Sequence, residues 1–317
     1  MASYLVTGGA GFIGSNIVDE LLRRGESVRV LDNLSTGRAE NLAAVRDRIM
    51  WCEADIRDLA QIRPCFEGVG CVIHLAALPS VPRSIQDPLT SNAVNIDGTL
   101  NVLVTAREAG VKRVVFAASS SAYGDNPALP RVETHEPRPL SPYALTKLAG
   151  EHYCRIFTRL FGLETVALRY FNIFGPRQNP DSHYTGVLSI FIAAYLRGQT
   201  PTIFGDGEQS RDFTFVENAV DATLRACVAP KAVGQVINVG TGERHTLNKT
   251  IASLNELFRR PVKPHYAPPR EGDVRHSEAD LSLARRLLGY EPKVRFEEGL
   301  RRTVDWYRSV TSQAVPS

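Results

Sequence analysis

Through about residue 171, short apolar runs rich in β-branched residues alternate with stretches whose apolar positions recur every three to four residues. The runs are YLVTG from Tyr4, SVRVLD from Ser27, GCVIHLAA from Gly70, RVVFAASS from Arg113 and ETVALRYF from Glu164. Between them the spacing predicts a helix reaching Arg24, one ending near Ala109 and one starting at Pro142. Continuous apolar strands joined by amphipathic crossovers imply a parallel sheet covered on both faces, because parallel neighbours cannot be joined by a tight turn. The expected fold class is α/β, with a doubly wound parallel sheet.

Beyond Phe171 the rhythm loosens, and Gly and Pro gather in GPRQNPDSHYTG, GQTPTIFGDGEQ and RRPVKPHYAPPREGD. Long connections of this kind usually carry function, so substrate contacts are expected here. The helical pattern from Val216 to Cys227 and the strand-like QVINVG at 235–240 read as a return to the sheet. The expected division is a first domain over 1–171 with a return at about 212–240, and a smaller interleaved α/β domain over 172–211 and 241–317.

The 317 residues are 43% hydrophobic, which suffices for a packed core. A formal charge of +3 arises from 37 basic and 34 acidic residues, and the Arg pairs are scattered along the chain, so no nucleic-acid partner is expected. Five cysteines without CxxC spacing, no leader before the first strand-like run and no apolar run of roughly 18 residues point to a soluble protein of the reducing cytoplasm. His74 lies in an apolar run and reads as a satisfied core histidine, and His276 has no second ligand at metal spacing; no metal is expected.

Candidate chemistry begins at the first turn. Val6-Thr7-Gly8-Gly9-Ala10-Gly11-Phe12-Ile13-Gly14 follows a strand and opens a helix. Glycines there let the backbone turn tightly and let a pyrophosphate approach the free N–H groups of the helix N-terminus. The next strand ends at Asp32, where a carboxylate meets the adenosine ribose hydroxyls and repels a 2′-phosphate, which favours NAD over NADP. Asp55-Ile56, after a further presumed strand, is placed to reach the adenine.

In SPYALTK, Tyr143 and Lys147 are four residues apart just after a proline suited to a helix start, so they share a face. The spacing alone occurs by chance in many helices. Beside an NAD fingerprint and a strand ending in Ser119-Ser120-Ser121, it reads as a general base and a cation that favours its phenolate.

The ordered set TGGAGFIG, DNLSTG, DIRD, HLAA, SSSAYG, SPYALTK, RYFNIFGPRQ, FGDGEQSRDF, NVGTG and REGDVRHSEAD resembles the extended short-chain dehydrogenase/reductase family across almost the whole chain. Within that family it is most similar to the nucleotide-sugar 4-epimerases acting on UDP-N-acetylglucosamine and UDP-glucose. The resemblance implies a homodimer and a UDP-sugar substrate, with NAD kept bound. It implies that Tyr143 takes the proton of the sugar 4-hydroxyl while carbon 4 is oxidised, and that the 4-keto sugar turns over before being reduced on its other face.

Carried onto this sequence, the resemblance makes Tyr143, Lys147 and Ser119 catalytic, with Ser120 beside the sugar; the triple serine leaves the register open by one position. Gly8, Gly11, Phe12, Ile13, Gly14, Asp32, Asn33, Asp55, Ile56, Leu75, Ala76 and Phe171 join Tyr143 and Lys147 around NAD. Asn172, Val187, Leu188, Thr202, Phe204, Arg211, Arg270, Asp273 and Ser277 surround the UDP-sugar. A small Ser277, where some relatives have tyrosine, implies room for an N-acetyl group at carbon 2. Three rivals share parts of this pattern. A UDP-glucuronate 4-epimerase is the nearest, because nothing in the sequence shows what faces carbon 6. A 4,6-dehydratase would carry an Asp-Glu pair where Ser120-Ser121 stand, and a non-catalytic NAD-sensing regulator would typically lack the Tyr/Lys pair.

Overall fold

The computed structural model describes residues 3–179, 186–269 and 274–313. Its strands are β1 (Ser3–Thr7), β2 (Ser27–Asp32), β3 (Met50–Glu53), β4 (Cys71–His74), β5 (Arg113–Ser119), β6 (Glu164–Tyr170), β7 (Ile173–Phe174), β8 (Thr202–Phe204), β9 (Ser210–Arg211), β10 (Thr214–Phe215), β11 (Val236–Val239), β12 (His245–Thr246) and β13 (His265–Ala267). The α-helices are α1 (Phe12–Arg23), α2 (Leu59–Ile62), α3 (Val81–Gln86), α4 (Pro88–Asn92), α5 (Gly98–Glu108), α6 (Pro142–Phe161), α7 (Val187–Leu196), α8 (Val216–Val228), α9 (Leu247–Phe258), α10 (Ser282–Leu288) and α11 (Phe296–Gln313).

Seven strands form the central sheet in the order β11-β6-β5-β4-β1-β2-β3. Every pairing within it is parallel. β4 is buried at all four positions and β5 at all but its last, since helices cover both faces. On one face Ile17 and Leu21 of α1 and Ala222 of α8 pack against Val30 and Ile237. On the other, Leu103 of α5 and Phe157 of α6 pack against Phe116.

Chain order reverses at β1, which pairs with β2 on one side and β4 on the other, and this opens a crevice beyond the carboxyl ends of the strands. β11 brings 236–239 back to the sheet beside β6. Three two-stranded pairings, β10 with β7, β12 with β9 and β13 with β8, build the rim above the crevice. Sequence periodicity did not distinguish these short pairs from loop, because two or three residues hold no detectable alternation.

The start of α6 is encoded locally. Ser141 Oγ accepts the Ala144 N–H at 3.2 Å, and Pro142 opens the helix, where its missing N–H has no intrahelical partner to lose. Gly162 closes it in the left-handed region at φ 69°.

Candidate active site

One cavity of about 1230 Å³ lies over the crevice, lined from the glycine turn, the ends of β2, β4 and β5, the head of α6, and the segments around 172, 187, 202–211 and 277. All the residues proposed from the sequence for NAD and sugar line it, except Arg270 and Asp273, which lie outside the described residues.

At the glycine turn, Gly8 has φ +70°, and a Cβ there would sit 2.8 Å from the backbone nitrogen of Ala76. A Cβ on Gly14 would sit 2.2 Å from the Gly8 carbonyl oxygen, so only glycine lets α1 close against the turn. The Gly11 N–H is turned inward to the Gly8 carbonyl at 3.1 Å. Such a cradle fits a dinucleotide pyrophosphate at the head of α1. Asp32 accepts the Ala10 N–H at 3.0 Å and the Leu34 N–H at 2.8 Å. Burial raises its pKa, and those two hydrogen bonds oppose the shift. Asp55 is bound by Arg57 and by Asn33 Nδ2 at 2.9 Å, and the Arg57 hydrogen bond does most to hold its pKa down at about 2. Leu75 and Ala76 follow β4, facing this turn.

His74 is buried, with Nδ1 2.7 Å from Thr7 Oγ1 and Nε2 3.0 Å from Thr99 Oγ1. Burial, then the nearby Lys147, lowers its pKa to about 3, so it is a neutral, satisfied core residue. Among the described residues no group of three or more His, Cys, Asp or Glu side chains is placed to hold a metal ion.

At the head of α6 the half-buried Tyr143 lines the cavity, and burial raises its pKa while the Ser119 hydroxyl opposes the rise. Ser119 ends β5 and accepts from the Ser121 N–H at 3.2 Å and the Ser121 hydroxyl at 2.8 Å, an arrangement that orients the triple serine. Lys147 lies one turn beyond Tyr143, as the spacing predicts. Its ammonium donates to the Ala117 carbonyl at 2.8 Å and lies 5.1 Å from the Phe116 ring centre, and burial lowers its pKa to about 8. On Tyr143 itself, burial is the leading influence and the Ser119 hydroxyl the opposing one.

Opposite the serines, Asn172 adopts φ +38°. Its Nδ2 donates to the Asp212 carbonyl at 3.2 Å and approaches Ser277 Oγ at 3.4 Å. Phe171 is buried against Tyr123. Val187 and Leu188 open α7, while Thr202 and Phe204 lie on β8, held by pairing with β13. Arg211 donates to the carbonyls of Ser210 at 3.0 Å and Arg275 at 3.1 Å. His276 Nδ1 is 2.8 Å from Ser210 Oγ, so this ring packs into the rim.

Two features of the site went unread in the sequence. Asp212, fully buried, accepts from the Thr241 N–H at 2.8 Å, the Thr241 hydroxyl at 2.7 Å, the Gly242 N–H at 3.0 Å and the Ala279 N–H at 3.1 Å. It thereby ties three separate segments beneath Ser277, although burial still lifts its pKa to about 6. Gln209 donates Nε2 to the Phe204 carbonyl at 2.5 Å. Both lie inside FGDGEQSRDF, and their only sequence signal was proximity to Arg211.

Residues 4–240 match the NAD dependent epimerase/dehydratase family. The UDP-glucose 4-epimerase of Mycolicibacterium smegmatis is 42% identical over 314 residues, covering 96% of this chain and 98% of that protein. Among solved structures, the UDP-N-acetylglucosamine 4-epimerase of Methanobrevibacter ruminantium M1 in complex with UDP-N-acetylmuramic acid superposes with a TM-score of 0.93 at 40% identity, covering 98% of this chain and 99% of that one. The NAD complex of the UDP-glucose 4-epimerase from Thermus thermophilus gives 0.89 at 39% identity, covering 99% and 100%. The chain belongs to the NAD dependent epimerase/dehydratase family, and its cofactor is NAD. By class it is an NAD-dependent epimerase.

Proposed function

We propose that this protein inverts carbon 4 of UDP-sugars through a 4-keto intermediate, with NAD retained throughout the cycle. The observation that carries the reading is that Tyr143, the Ser119 hydroxyl and Lys147 one turn along α6 line a single cavity with the glycine cradle and Asn172. When bound, NAD supplies the acceptor and donor of hydride for carbon 4. Everything else falls to the chain. Tyr143 Oη takes the proton of the 4-hydroxyl and later returns it, with Ser119 Oγ as the hydroxyl that shares that proton. Lys147, anchored on Ala117, holds α6 against β5 and would meet the cofactor ribose. Gly8, Gly11, Phe12, Ile13 and Gly14 would hold the pyrophosphate, Asp32 and Asn33 the adenosine ribose, and Asp55 and Ile56 the adenine.

In the same reading, Arg211 with Arg270 neutralises the UDP phosphates, Asp273 meets the uridine ribose, and Thr202 and Phe204 flank the uracil. Serine at 277, next to Asn172, supports acceptance of the N-acetylated sugar pair as well as UDP-glucose and UDP-galactose, since a pocket without a steric block rejects the smaller sugar only weakly. The NAD part is 1–171 with the return at 212–240, and the sugar part the remainder. Ile85 and Leu89 beside α6, with Leu145, Ile156 and Leu160 on α6, are exposed, an apolar surface that supports a homodimer packed through these helices. No helix among the described residues is long and apolar enough to cross a membrane.

The test is incubation of purified protein with UDP-N-acetylglucosamine, UDP-glucose and UDP-glucuronate in separate tubes, following the carbon-4 proton by NMR. Inversion of the first two is expected, and inversion of UDP-glucuronate alone would shift the assignment to the uronate epimerase. No inversion in any tube with NAD added would sink the reading, and undiminished inversion by Tyr143→Phe would sink the mechanism.

A further inference from the structure

Residues 143, 147 and 151 lie at successive i, i+4 positions on one face of α6, and the third of them, Glu151, sits in the sheet-facing interior. Its carboxylate is gripped by both arms of Arg169 on β6, with Nε to Oε1 at 2.8 Å and Nη2 to Oε2 at 2.7 Å. Both side chains are almost fully buried, at 3% and 4% exposure. Arg169 pairs in register with Ala118, one residue from the carbonyl that holds Lys147. It precedes Phe171 by two residues and Asn172 by three. Its guanidinium lies 4.5 Å from the Tyr123 ring centre.

The pair is poorly explained as a device for stability. Two buried charges cost about as much desolvation as their attraction returns, and apolar residues of similar volume are often equally stable. Arg169 Nη1 is also buried with no hydrogen-bond partner, which adds a further cost. What a fork closed on a carboxylate does supply is geometry, because two parallel hydrogen bonds fix both distance and orientation, whereas an apolar contact leaves a helix free to slide.

We propose that Glu151 and Arg169 are positioning residues for the epimerisation, setting the head of α6, and with it Tyr143, against the ends of β5 and β6, where Ser119 and Asn172 stand. Lys147 fixes the helix to β5, and Glu151 fixes it to β6. Neither Glu151 nor Arg169 lines the cavity, so the pair acts through Tyr143 and not on the sugar. Loss of one partner displaces the reacting groups while leaving the binding surfaces intact.

The proposal rests on the epimerase reading for its kinetic test and has a second readout that does not. The full-length variants Glu151→Gln, Arg169→Lys and the doubly apolar Glu151→Leu/Arg169→Met are purified, and their NAD content and Tm are measured. Expected is a fall in kcat of about 100-fold in each, with KM for the UDP-sugar within about threefold of wild type. The double variant is to lose kcat even where its Tm and NAD content match wild type; if it does not fold, the two single variants decide. Independently, the Tyr143 phenol is titrated by absorbance, using Tyr143→Phe in each background as the blank. Its midpoint is expected to move by at least about half a pH unit, as an altered Ser119 contact requires. A double variant with wild-type kcat overturns the proposal. So does a loss of kcat that follows folded fraction or NAD content while the Tyr143 titration stays in place. If wild type inverts no sugar, the epimerase reading fails, and the titration alone decides whether the pair positions Tyr143.

Discussion

Lys147→Met removes a charge that the fold buries and should change how stability depends on pH in a calculable way. The lysine's ordinary pKa of 10.5 is lowered to about 8 by burial. Below pH 8 both the folded and unfolded chains keep the proton, and folding bears the full cost of the buried charge. Between about 8 and 10.5 the folded lysine is neutral while the unfolded one still holds its proton, so stability rises with pH. Above 10.5 both are neutral, and the gain is complete. At about 1.4 kcal/mol per pH unit, that interval is worth about 3 kcal/mol, or about 5 °C in Tm for a chain of this size. The methionine variant lacks the term. Loss of the bond to Ala117 shifts its whole curve by a constant, leaving the difference in pH dependence untouched. Chemical denaturation of both proteins, stripped of NAD, from pH 7 to 10.5 measures the difference, since all other titrating groups are shared. Wild type should gain about 3 kcal/mol on the variant across the range. Parallel curves would refute the burial of a charged Lys147.

Gly14→Ala puts a methyl carbon 2.2 Å from the Gly8 carbonyl, in backbone that has little room to yield, and should cost about 3 kcal/mol with loss of bound NAD, read by denaturation and by absorbance of the released cofactor. Ser277→Tyr should reduce kcat/KM for UDP-N-acetylglucosamine by at least about 100-fold while changing that for UDP-glucose less than about fivefold; equal losses for both would remove Ser277 from sugar selection. His74, whose pKa burial lowers to about 3, binds a proton in the unfolded chain but not in the folded one between 6.5 and 3, so its contribution to stability falls as pH drops through that window. His74→Gln should flatten the acid limb of the stability curve, and an unchanged limb would show that the ring titrates normally.

What could be read from the chain was what covalent spacing sets. Apolar repeats of β1, β4, β5 and β6, the glycine turn, and the Ser141-Pro142 start of α6 each act within a few residues, and a helix places Tyr143 and Lys147 on one face wherever it forms. The motif order carried the resemblance to the epimerases, and with it the list of residues that surround the cavity. Directions and distances across the fold were of another kind. Where Lys147 points, whether burial or a neighbouring charge governs Tyr143, how Glu151 meets Arg169 across 18 residues, and how Asp212 joins 241, 242 and 279 depend on which elements pack together. Burial sets the pKa values of the site, and burial exists only once β5, β6 and α6 have closed around the same volume. The spacing of Tyr143 and Lys147 belongs to the sequence; their orientation and their electrostatics were decided by tertiary packing.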